Sequence, residues 1–266
     1  MKKYFHHLGK KIYYSEYGSG PAIVLIHGFL ETSDIWKSFA EKLAGGNKVL
    51  AIDLPGHGGS DIYSATHTME FMADVTERLL YATGTARAFV TGHSMGGYVT
   101  LAVLEKYPHK LTGCCLFHSH PFADTREVIE RRKTDITRVE SGRKYLLVAE
   151  SVKKMYAADN LEKFKAALEK SESIAATIRP EGITAVLRGM MERPSRLHLL
   201  ERMSIPFLWI LGAKDNYIDC NSVKNRVKMP PGSELHILEN SGHMGFMEEE
   251  EKSYEIINTF TSRINL

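Results

Sequence analysis

The hexapeptide Gly92-His93-Ser94-Met95-Gly96-Gly97 constrains the fold more than any other feature of this sequence. It directly follows the apolar, β-rich run Ala86–Thr91 and directly precedes an apolar run with helical spacing, Tyr98–Tyr107. A strand that turns at once into a helix strains the residue at the turn, and glycines on both sides remove the side chains that would collide there. The sequence therefore predicts a strand-turn-helix connection with Ser94 at its tip, where the positive end of the helix dipole favours negative charge. A plainer alternative is that Ser94 only caps the helix.

Short apolar runs and stretches with helical spacing alternate along the chain. The runs lack polar alternation, which is typical of strands covered on both faces. A mostly parallel sheet with helices on both faces is therefore expected. An edge hairpin is predicted at the start of the chain, before the first parallel strand. Apolar and polar residues alternate there in Tyr4–Leu8 and Ile12–Tyr14, on the two sides of Gly9-Lys10. The other predicted strands are 22–26, 48–52, 86–91, 114–117, 206–211 and 234–238, and helices are expected over 35–43, 69–81, 98–107 and 254–260.

One region interrupts the alternation of strands and helices. Residues 121–203 contain no strand-like run and are rich in Glu, Lys, Arg, Ala and Met at helical spacing. We expect an inserted helical cap within a single domain whose core comprises residues 1–120 and 204–266. Because core strands bracket the insertion, the cap should cover the carboxyl edge of the sheet, where open α/β sheets bind ligands.

Charge and composition exclude several classes of function. The 266 residues contain 34 Lys and Arg against 32 Asp and Glu, spread along the chain, so no nucleic-acid partner is expected. No apolar run reaches the roughly 18 residues that span a bilayer, and Tyr4–His7 cannot form the apolar part of a signal peptide. We therefore expect a cytoplasmic protein without a membrane partner. The three cysteines lack metal-binding spacing and predict reduced thiols, with no metal site.

A serine hydroxyl needs a base to become a nucleophile, and the base needs a carboxylate to orient it. Ser241–Gly245 places His243 on a glycine-flanked loop after a predicted strand, and Leu211–Asp215 places Asp215 just after another. We predict Ser94 as nucleophile, His243 as general base and Asp215 as its acid. Asp219 is the alternative acid, although it is also suited to cap the next helix.

The sequence resembles the α/β-hydrolase superfamily over almost its entire length. The order serine, acid, histidine is the order of that superfamily. Membership implies an eight-stranded sheet, and the chain is most similar to small capped esterases, lactonases, perhydrolases and carbon-carbon bond hydrolases. The motifs that carry the resemblance are Val24-Leu25-Ile26-His27-Gly28-Phe29, Asp53-Leu54-Pro55-Gly56-His57-Gly58-Gly59-Ser60, Gly92-His93-Ser94-Met95-Gly96-Gly97, Leu211-Gly212-Ala213-Lys214-Asp215 and Ser241-Gly242-His243.

The resemblance implies an oxyanion hole formed by the backbone N–H groups of Phe29 and Met95. It also implies that Gly28 lies beside the substrate. His27 is expected to hold this loop rather than to take part in catalysis. The Asp53–Ser60 segment lacks phosphate-binding spacing and is interpreted as a structural turn.

Further substrate contacts are predicted from position and residue type. Apolar and methionine side chains could form an adaptable acyl pocket, and His118-Ser119 follows a strand at the same sheet edge. Each of them could equally be ordinary core or loop. The acidic run Glu248–Glu251 is interpreted as a solvated face at the start of the last helix. The tentative substrate-binding set is Gly28, Trp36, His118, Ser119, Phe122, Met190, Met191 and Met244.

These observations favour a serine hydrolase that cleaves a small or medium carboxylic ester, lactone or thioester through an acyl-enzyme on Ser94. No cofactor is expected, and the expected partner is a small ester-like substrate. Carbon-carbon bond hydrolysis by the same three residues is the first alternative. The second is a ligand receptor that keeps these residues but turns over slowly.

Overall fold

One eight-stranded sheet forms the centre of the molecule. A computed structural model describes residues 2–264 of the chain. The strand order is β1-β2-β4-β3-β5-β6-β7-β8. The strands are β1 Lys3–His7, β2 Lys10–Tyr17, β3 Ala22–Ile26, β4 Lys48–Ile52, β5 Ala88–His93, β6 Leu111–Phe117, β7 Phe207–Gly212 and β8 Glu234–Leu238.

The pairing of the strands confirms the predicted sheet. Strands β3 to β8 pair in parallel, whereas β2 runs antiparallel to both β1 and β4. The predicted hairpin is present, but its turn lies one residue earlier in the chain than the sequence predicts. Leu8 and Gly9 form the turn with φ of 47° and 76°, and Lys10 already pairs with His7. Two successive residues with positive φ match the right-handed twist of the flanking strands.

Eleven α-helices accompany the strands within the described range. The predicted helix over 35–43 begins as a 3₁₀ turn, Ser33–Trp36, and becomes α-helical only from Lys37. The helices are α1 Lys37–Leu43, α2 Met69–Ala82, α3 Met95–Lys106, α4 Arg126–Glu140, α5 Lys144–Met155, α6 Lys165–Thr177, α7 Pro180–Glu192, α8 Leu197–Glu201, α9 Cys220–Lys224, α10 Gly245–Glu248 and α11 Glu250–Ile264. Between residues 2 and 264, no helix is both long and apolar enough to cross a membrane.

The apolar core lies on both faces of the sheet. Val24 on β3 packs in one cluster with residues of α2 and α3, whereas its neighbour Leu25 packs in a second cluster with Phe39 of α1 and Phe260 of α11. Successive strand residues point to opposite faces, so a strand buried on both sides must be apolar at every position. Five helices, α4 to α8, separate β6 from β7 and occupy the region predicted as a cap. The division into core and cap remains a prediction.

The connection from β5 to α3 places Ser94 at a strained position. Its φ is 50°, in the left-handed region that residues with a side chain rarely occupy. A Cβ on Gly92 would overlap the carbonyl of Gly96, and a Cβ on Gly96 would overlap the carbonyl of Ile26. The two glycines therefore let α3 begin against the ends of β5 and β3.

This close approach generates a stability prediction. Gly96→Ala would force the backbone of Ile26 to shift and should lower the free energy of unfolding by about 3 kcal/mol. Gly46→Ala is the matched control, because a Cβ there meets nothing within 4 Å. Urea unfolding of both variants checks the expectation, and equal midpoints would contradict the close approach.

Candidate active site

Three loops at the carboxyl edge of the sheet bring the predicted catalytic residues together. Ser94 follows β5, Asp215 follows β7, and His243 follows β8. The Nδ1 atom of His243 lies 2.7 Å from Oδ2 of Asp215, and both side chains are almost completely buried. Ser94 and His243 line the same cavity.

The carboxylate of Asp215 is well supplied with hydrogen-bond donors. Its Oδ1 accepts the backbone N–H groups of Tyr217 at 2.8 Å and Ile218 at 3.0 Å. Burial alone would raise the pKa of Asp215, but His243 and the donors around the carboxylate hold that pKa well below its ordinary value. Asp215 is therefore a carboxylate at neutral pH, so His243 donates its Nδ1 proton and keeps Nε2 free to accept one. The alternative acid, Asp219, instead caps α9 by accepting the N–H groups of residues 221 and 222.

The loop of His243 is held by its backbone. Its N–H donates to the carbonyl of Met155 at 2.7 Å, and its own carbonyl accepts Nε2–H of His93 at 2.8 Å. No hydrogen bond between Ser94 Oγ and this imidazole occurs among the described residues. Such contacts are often loose in a free enzyme and tighten with substrate.

Two backbone N–H groups near Ser94 have no acceptor within residues 2–264. They belong to Phe29 and Met95, which are the predicted oxyanion donors. Met95 is the first residue of α3, where N–H groups have no partner inside the helix. The loop of Phe29 is held by His27, whose Nε2 accepts the N–H of Leu54 at 3.0 Å. This contact gives His27 the structural role expected for it.

A buried pair, Glu31 and His93, lies beneath this loop. Oε2 of Glu31 accepts the N–H of Gly28 at 2.5 Å and lies 2.9 Å from Nδ1 of His93. Since Nε2 of the same imidazole donates to the carbonyl of His243, the pair connects the loop after β3, the end of β5 before Ser94 and the loop after β8. Neither side chain was predicted from the sequence, where the available signal was that His93 directly precedes Ser94.

The pKa directions of Glu31 and His93 favour an ion pair. Burial alone would lower the pKa of His93, but the carboxylate of Glu31 raises it above its ordinary value. Burial alone would likewise raise the pKa of Glu31, but the imidazolium holds it below its ordinary value. A buried carboxylate and a buried imidazolium each offset the desolvation of the other.

The cavity has a volume of about 570 Å³ and mixed polarity. Phe122 and Met190, two of the predicted substrate contacts, line it together with Phe29. Two of its arginines are paired: Arg132 bonds to Asp124 at 2.7 Å, and Arg138 of α4 bonds to Glu150 of α5 at 2.9 Å. The sequence did not indicate which polar groups face it, and these include Tyr98, His120, Asp124, Arg131, Arg132, Asp135, Arg138, Glu150, Lys154, Asp219, Ser222 and Arg226.

Six of the predicted substrate contacts do not line this cavity. They are Gly28, Trp36, His118, Ser119, Met191 and Met244. Trp36 and Met244 are fully buried core residues, and the indole of Trp36 lies 4.2 Å from the ring of Phe246. Position near the sheet edge was therefore not enough to place a side chain in the cavity.

The polar members of this set are occupied by the protein itself. The hydroxyl of Ser119 donates to the carbonyl of Ser94 at 2.7 Å, and the N–H of Gly28 is bound to Glu31. His118 is fully buried behind Asp215, with Nδ1 3.3 Å from Oδ2. Met191 packs against the apolar core. In the free protein these four residues contact other protein groups and do not line the cavity.

Two further sequence interpretations concern acidic residues. The Asp53–Ser60 segment is a structural turn, since Asp53 accepts the N–H groups of Ser33 and Gly59. The expectation of a solvated face over Glu248–Glu251 is wrong at its first residue. Glu248 is buried and accepts the N–H groups on both sides of His243, from residues 242 and 244.

The group formed by His118, Asp215 and His243 has the composition of a metal site. One donor atom of each lies within 4.8 Å of the others. The hydrogen bond between His243 and Asp215 already uses the Nδ1 and Oδ2 atoms that an ion would bind. The expectation of no metal remains a prediction.

Comparisons with known proteins agree with this architecture. A family model described as the alpha/beta hydrolase fold matches residues 21–250. An esterase from Thermogutta terrifontis, solved with malate bound, superposes with a TM-score of 0.94 over the whole of both chains at 26% identity. An enol-lactonase from Burkholderia xenovorans gives a TM-score of 0.90 at 19% identity over 98% of this chain and all of its own, which supports the fold alone.

A sequence relative agrees over a similar length. The chain is 23% identical over 260 residues to a pimeloyl-[acyl-carrier protein] methyl ester esterase from Xanthomonas campestris, covering 93% of this chain and 97% of the relative. The fold expected from the sequence is therefore confirmed.

The buried ion pair generates a prediction about pH. Glu31→Gln keeps an acceptor for the N–H of Gly28 but removes the charge, and it should lower the free energy of unfolding by about 2 kcal/mol. Because the pKa of Glu31 is lowered in the folded protein, its ionisation contributes fully to the free energy of unfolding above pH 4.5. Because the pKa of His93 is raised, its protonation contributes fully to the free energy of unfolding below pH 6.5. The loss should therefore be largest between these values and smaller at pH 9.

Urea unfolding at pH 5.5 and pH 9 measures the loss. Glu41→Gln removes the carboxylate of an exposed pair with Lys37 and should change stability little at either pH. A loss in Glu31→Gln that is the same at both pH values would contradict the ionic pair.

Proposed function

This chain belongs to the α/β-hydrolase fold family, and on that basis we propose that it hydrolyses carboxylic esters through an acyl-enzyme formed on Ser94. The observation that carries the proposal is the hydrogen bond between His243 and Asp215 beside a cavity that Ser94 also lines. The esterase names of the relatives from Thermogutta and Xanthomonas support ester hydrolysis.

In the proposed first step, His243 accepts the hydroxyl proton of Ser94 at Nε2 while Oγ bonds to the ester carbonyl carbon. The carbonyl oxygen becomes an oxyanion, which the N–H groups of Phe29 and Met95 bind. The tetrahedral intermediate collapses as His243 returns the proton to the departing alcohol. An ester between the substrate's acyl group and Ser94 remains.

In the second step, water replaces the alcohol. His243 removes a proton from the water while the water oxygen attacks the acyl carbon. His243 then returns that proton to Oγ of Ser94 as the carboxylic acid leaves. Asp215 stays ionised throughout and stabilises the imidazolium that forms in each half-reaction. The chemistry consumes one water per ester and leaves the enzyme unchanged.

The cavity supports a small or medium substrate. A volume of about 570 Å³ lies within the usual range of small-molecule pockets and favours a small molecule over a polymer. The apolar side chains of Phe29, Phe122 and Met190 suit an acyl chain. An ester, lactone or thioester of this size is the proposed substrate class.

Carbon-carbon bond hydrolysis is the second candidate. The polar lining of the cavity, including His120 and Arg226, favours it, since cleavage of a diketone requires polar groups around a second carbonyl. A panel of p-nitrophenyl esters and vinylogous diketones distinguishes the two reactions. Faster turnover of the diketones would replace the ester assignment.

Ser94→Ala should reduce ester turnover at least 10³-fold, because no other group supplies the nucleophile. The test measures release of p-nitrophenol from esters of increasing acyl length and labelling by a fluorophosphonate probe. Ser222→Ala, at a serine that also lines the cavity, is the matched control and should keep activity and labelling. Full activity of Ser94→Ala would overturn the mechanism, and a burst without steady turnover in the wild type would favour the slow receptor.

Asp215→Asn should lower kcat by about 10³–10⁴-fold with little change in KM, because an amide cannot stabilise the imidazolium and favours the wrong tautomer of His243. Steady-state kinetics on one ester measure this effect. Asp219→Asn is the control, since that side chain caps α9. A larger loss in Asp219→Asn than in Asp215→Asn would move the acid to the alternative residue.

A further inference from the structure

A second histidine, His118, faces the carboxylate of Asp215. It follows the last residue of β6, its side chain is fully buried, and its Nδ1 lies 3.3 Å from Oδ2 of Asp215. The same oxygen is bound by Nδ1 of His243 at 2.7 Å. Two imidazoles therefore converge on one oxygen of the proposed catalytic acid, from β6 and from the loop after β8.

The other ring nitrogen of His118 determines where its proton lies. The backbone N–H of Gly245 donates to Nε2 at 3.2 Å, so Nε2 is an acceptor. A neutral imidazole carries one proton, which must then be on Nδ1, the atom that faces Asp215. Nδ1 is buried and makes no geometrically complete hydrogen bond among the described residues. The carboxylate oxygen of Asp215, 3.3 Å away, is the acceptor that this proton faces.

The surrounding backbone leaves room for this ring. A Cβ on Gly212 would lie 2.8 Å from Cε1 of His118, and a Cβ on Gly245 would overlap its Nε2. His118 itself has a φ of 47°, in the left-handed region. Two glycines and an unfavourable backbone conformation therefore accommodate an imidazole that does not line the cavity beside Ser94.

The charges around the pair fit a neutral donor. Burial, which outweighs the attraction of Asp215, lowers the pKa of His118 to about 4. His243 faces Asp215 and His118, the ring of His93 with its centroid 5.0 Å away, and the ring of Tyr217 at 5.1 Å. The carboxylate of Glu248 holds the backbone on both sides of His243, and that of Glu31 balances His93.

We propose that His118 is a positioning residue that donates Nδ1–H to Asp215 and thereby limits how strongly this carboxylate stabilises the imidazolium of His243. The inference rests on the proposed function, because it assigns His118 an effect on the proposed base. A carboxylate that shares its charge with a second donor attracts a neighbouring cation less. Loss of that donor should make His243 hold its proton at higher pH.

Two substitutions separate this role from simple space filling. His118→Asn keeps a donor at the Nδ1 position and loses the acceptor for Gly245, whereas His118→Gln keeps an acceptor near the Nε2 position and loses the donor to Asp215. The acidic limb of the kcat/KM profile reports protonation of the base in the free enzyme. In His118→Gln its midpoint should rise by about 0.5–1 pH unit, and in His118→Asn it should match the wild type.

Equal midpoints in the wild type and both variants, or the same displacement in both variants, would overturn the proposal. Nitrogen-15 NMR of histidine-labelled wild-type protein provides a second test that needs neither a folded variant nor enzymatic activity. His118 should be neutral with its proton on Nδ1 between pH 6 and 8, and a proton on Nε2 would overturn the assignment. Activity in Ser94→Ala would remove the proposed function while leaving this NMR result intact.

Discussion

Helix α3 begins in close contact with the ends of β5 and β3, and the site depends on this close approach. At Gly92 and Gly96 the backbones of these elements approach so closely that neither position has room for a Cβ. This approach allows Ser94 to turn from strand to helix with a φ of 50°. It also places the free N–H of Met95 near the loop of Phe29 that follows β3. The glycines are therefore required by backbone packing.

Buried electrostatics join the loops around this connection. Asp215 with His243 and Glu31 with His93 form two acid-histidine pairs, and the second pair donates to the backbone of the first through His93 Nε2. Desolvation makes each charge costly, but removing one member of a pair would cost more than the pair contributes. The arrangement therefore favours a single conformation of the loops after β3, β7 and β8 around the turn at Ser94, which a preorganised site requires.

Sequence patterns revealed the parts of the molecule that depend on nearby residues. The parallel strands appeared as uninterrupted apolar runs, and the glycines around Ser94 reflect a turn within six residues. The pairings Glu31 with His93 and His118 with Gly245 lie 62 and 127 residues apart. Nothing in local spacing indicates which polar groups at a sheet edge will meet. Trp36 and His118 were assigned to a pocket for this reason, although packing buries both behind it.

Glu248 illustrates the same limit for charge patterns. A run of four glutamates indicates a solvated surface, yet the first binds backbone N–H groups beside His243. Whether a glutamate of this run is buried depends on how the chain passes from α10 to α11, and composition does not encode that path. Substrate contacts were equally hard to predict because the cavity wall comes from helices between β6 and β7, whose packing is not determined by their spacing.

The covalent intermediate tests the central claim most directly. Wild-type protein mixed with a slowly hydrolysed p-nitrophenyl ester, quenched in acid within milliseconds and digested, should yield by mass spectrometry a peptide whose mass is increased by the acyl group, with the modification on Ser94. The modified fraction should rise with the burst of p-nitrophenol and fall as turnover ends. Steady hydrolysis without any acylated peptide, or acylation at a different residue, would contradict the account.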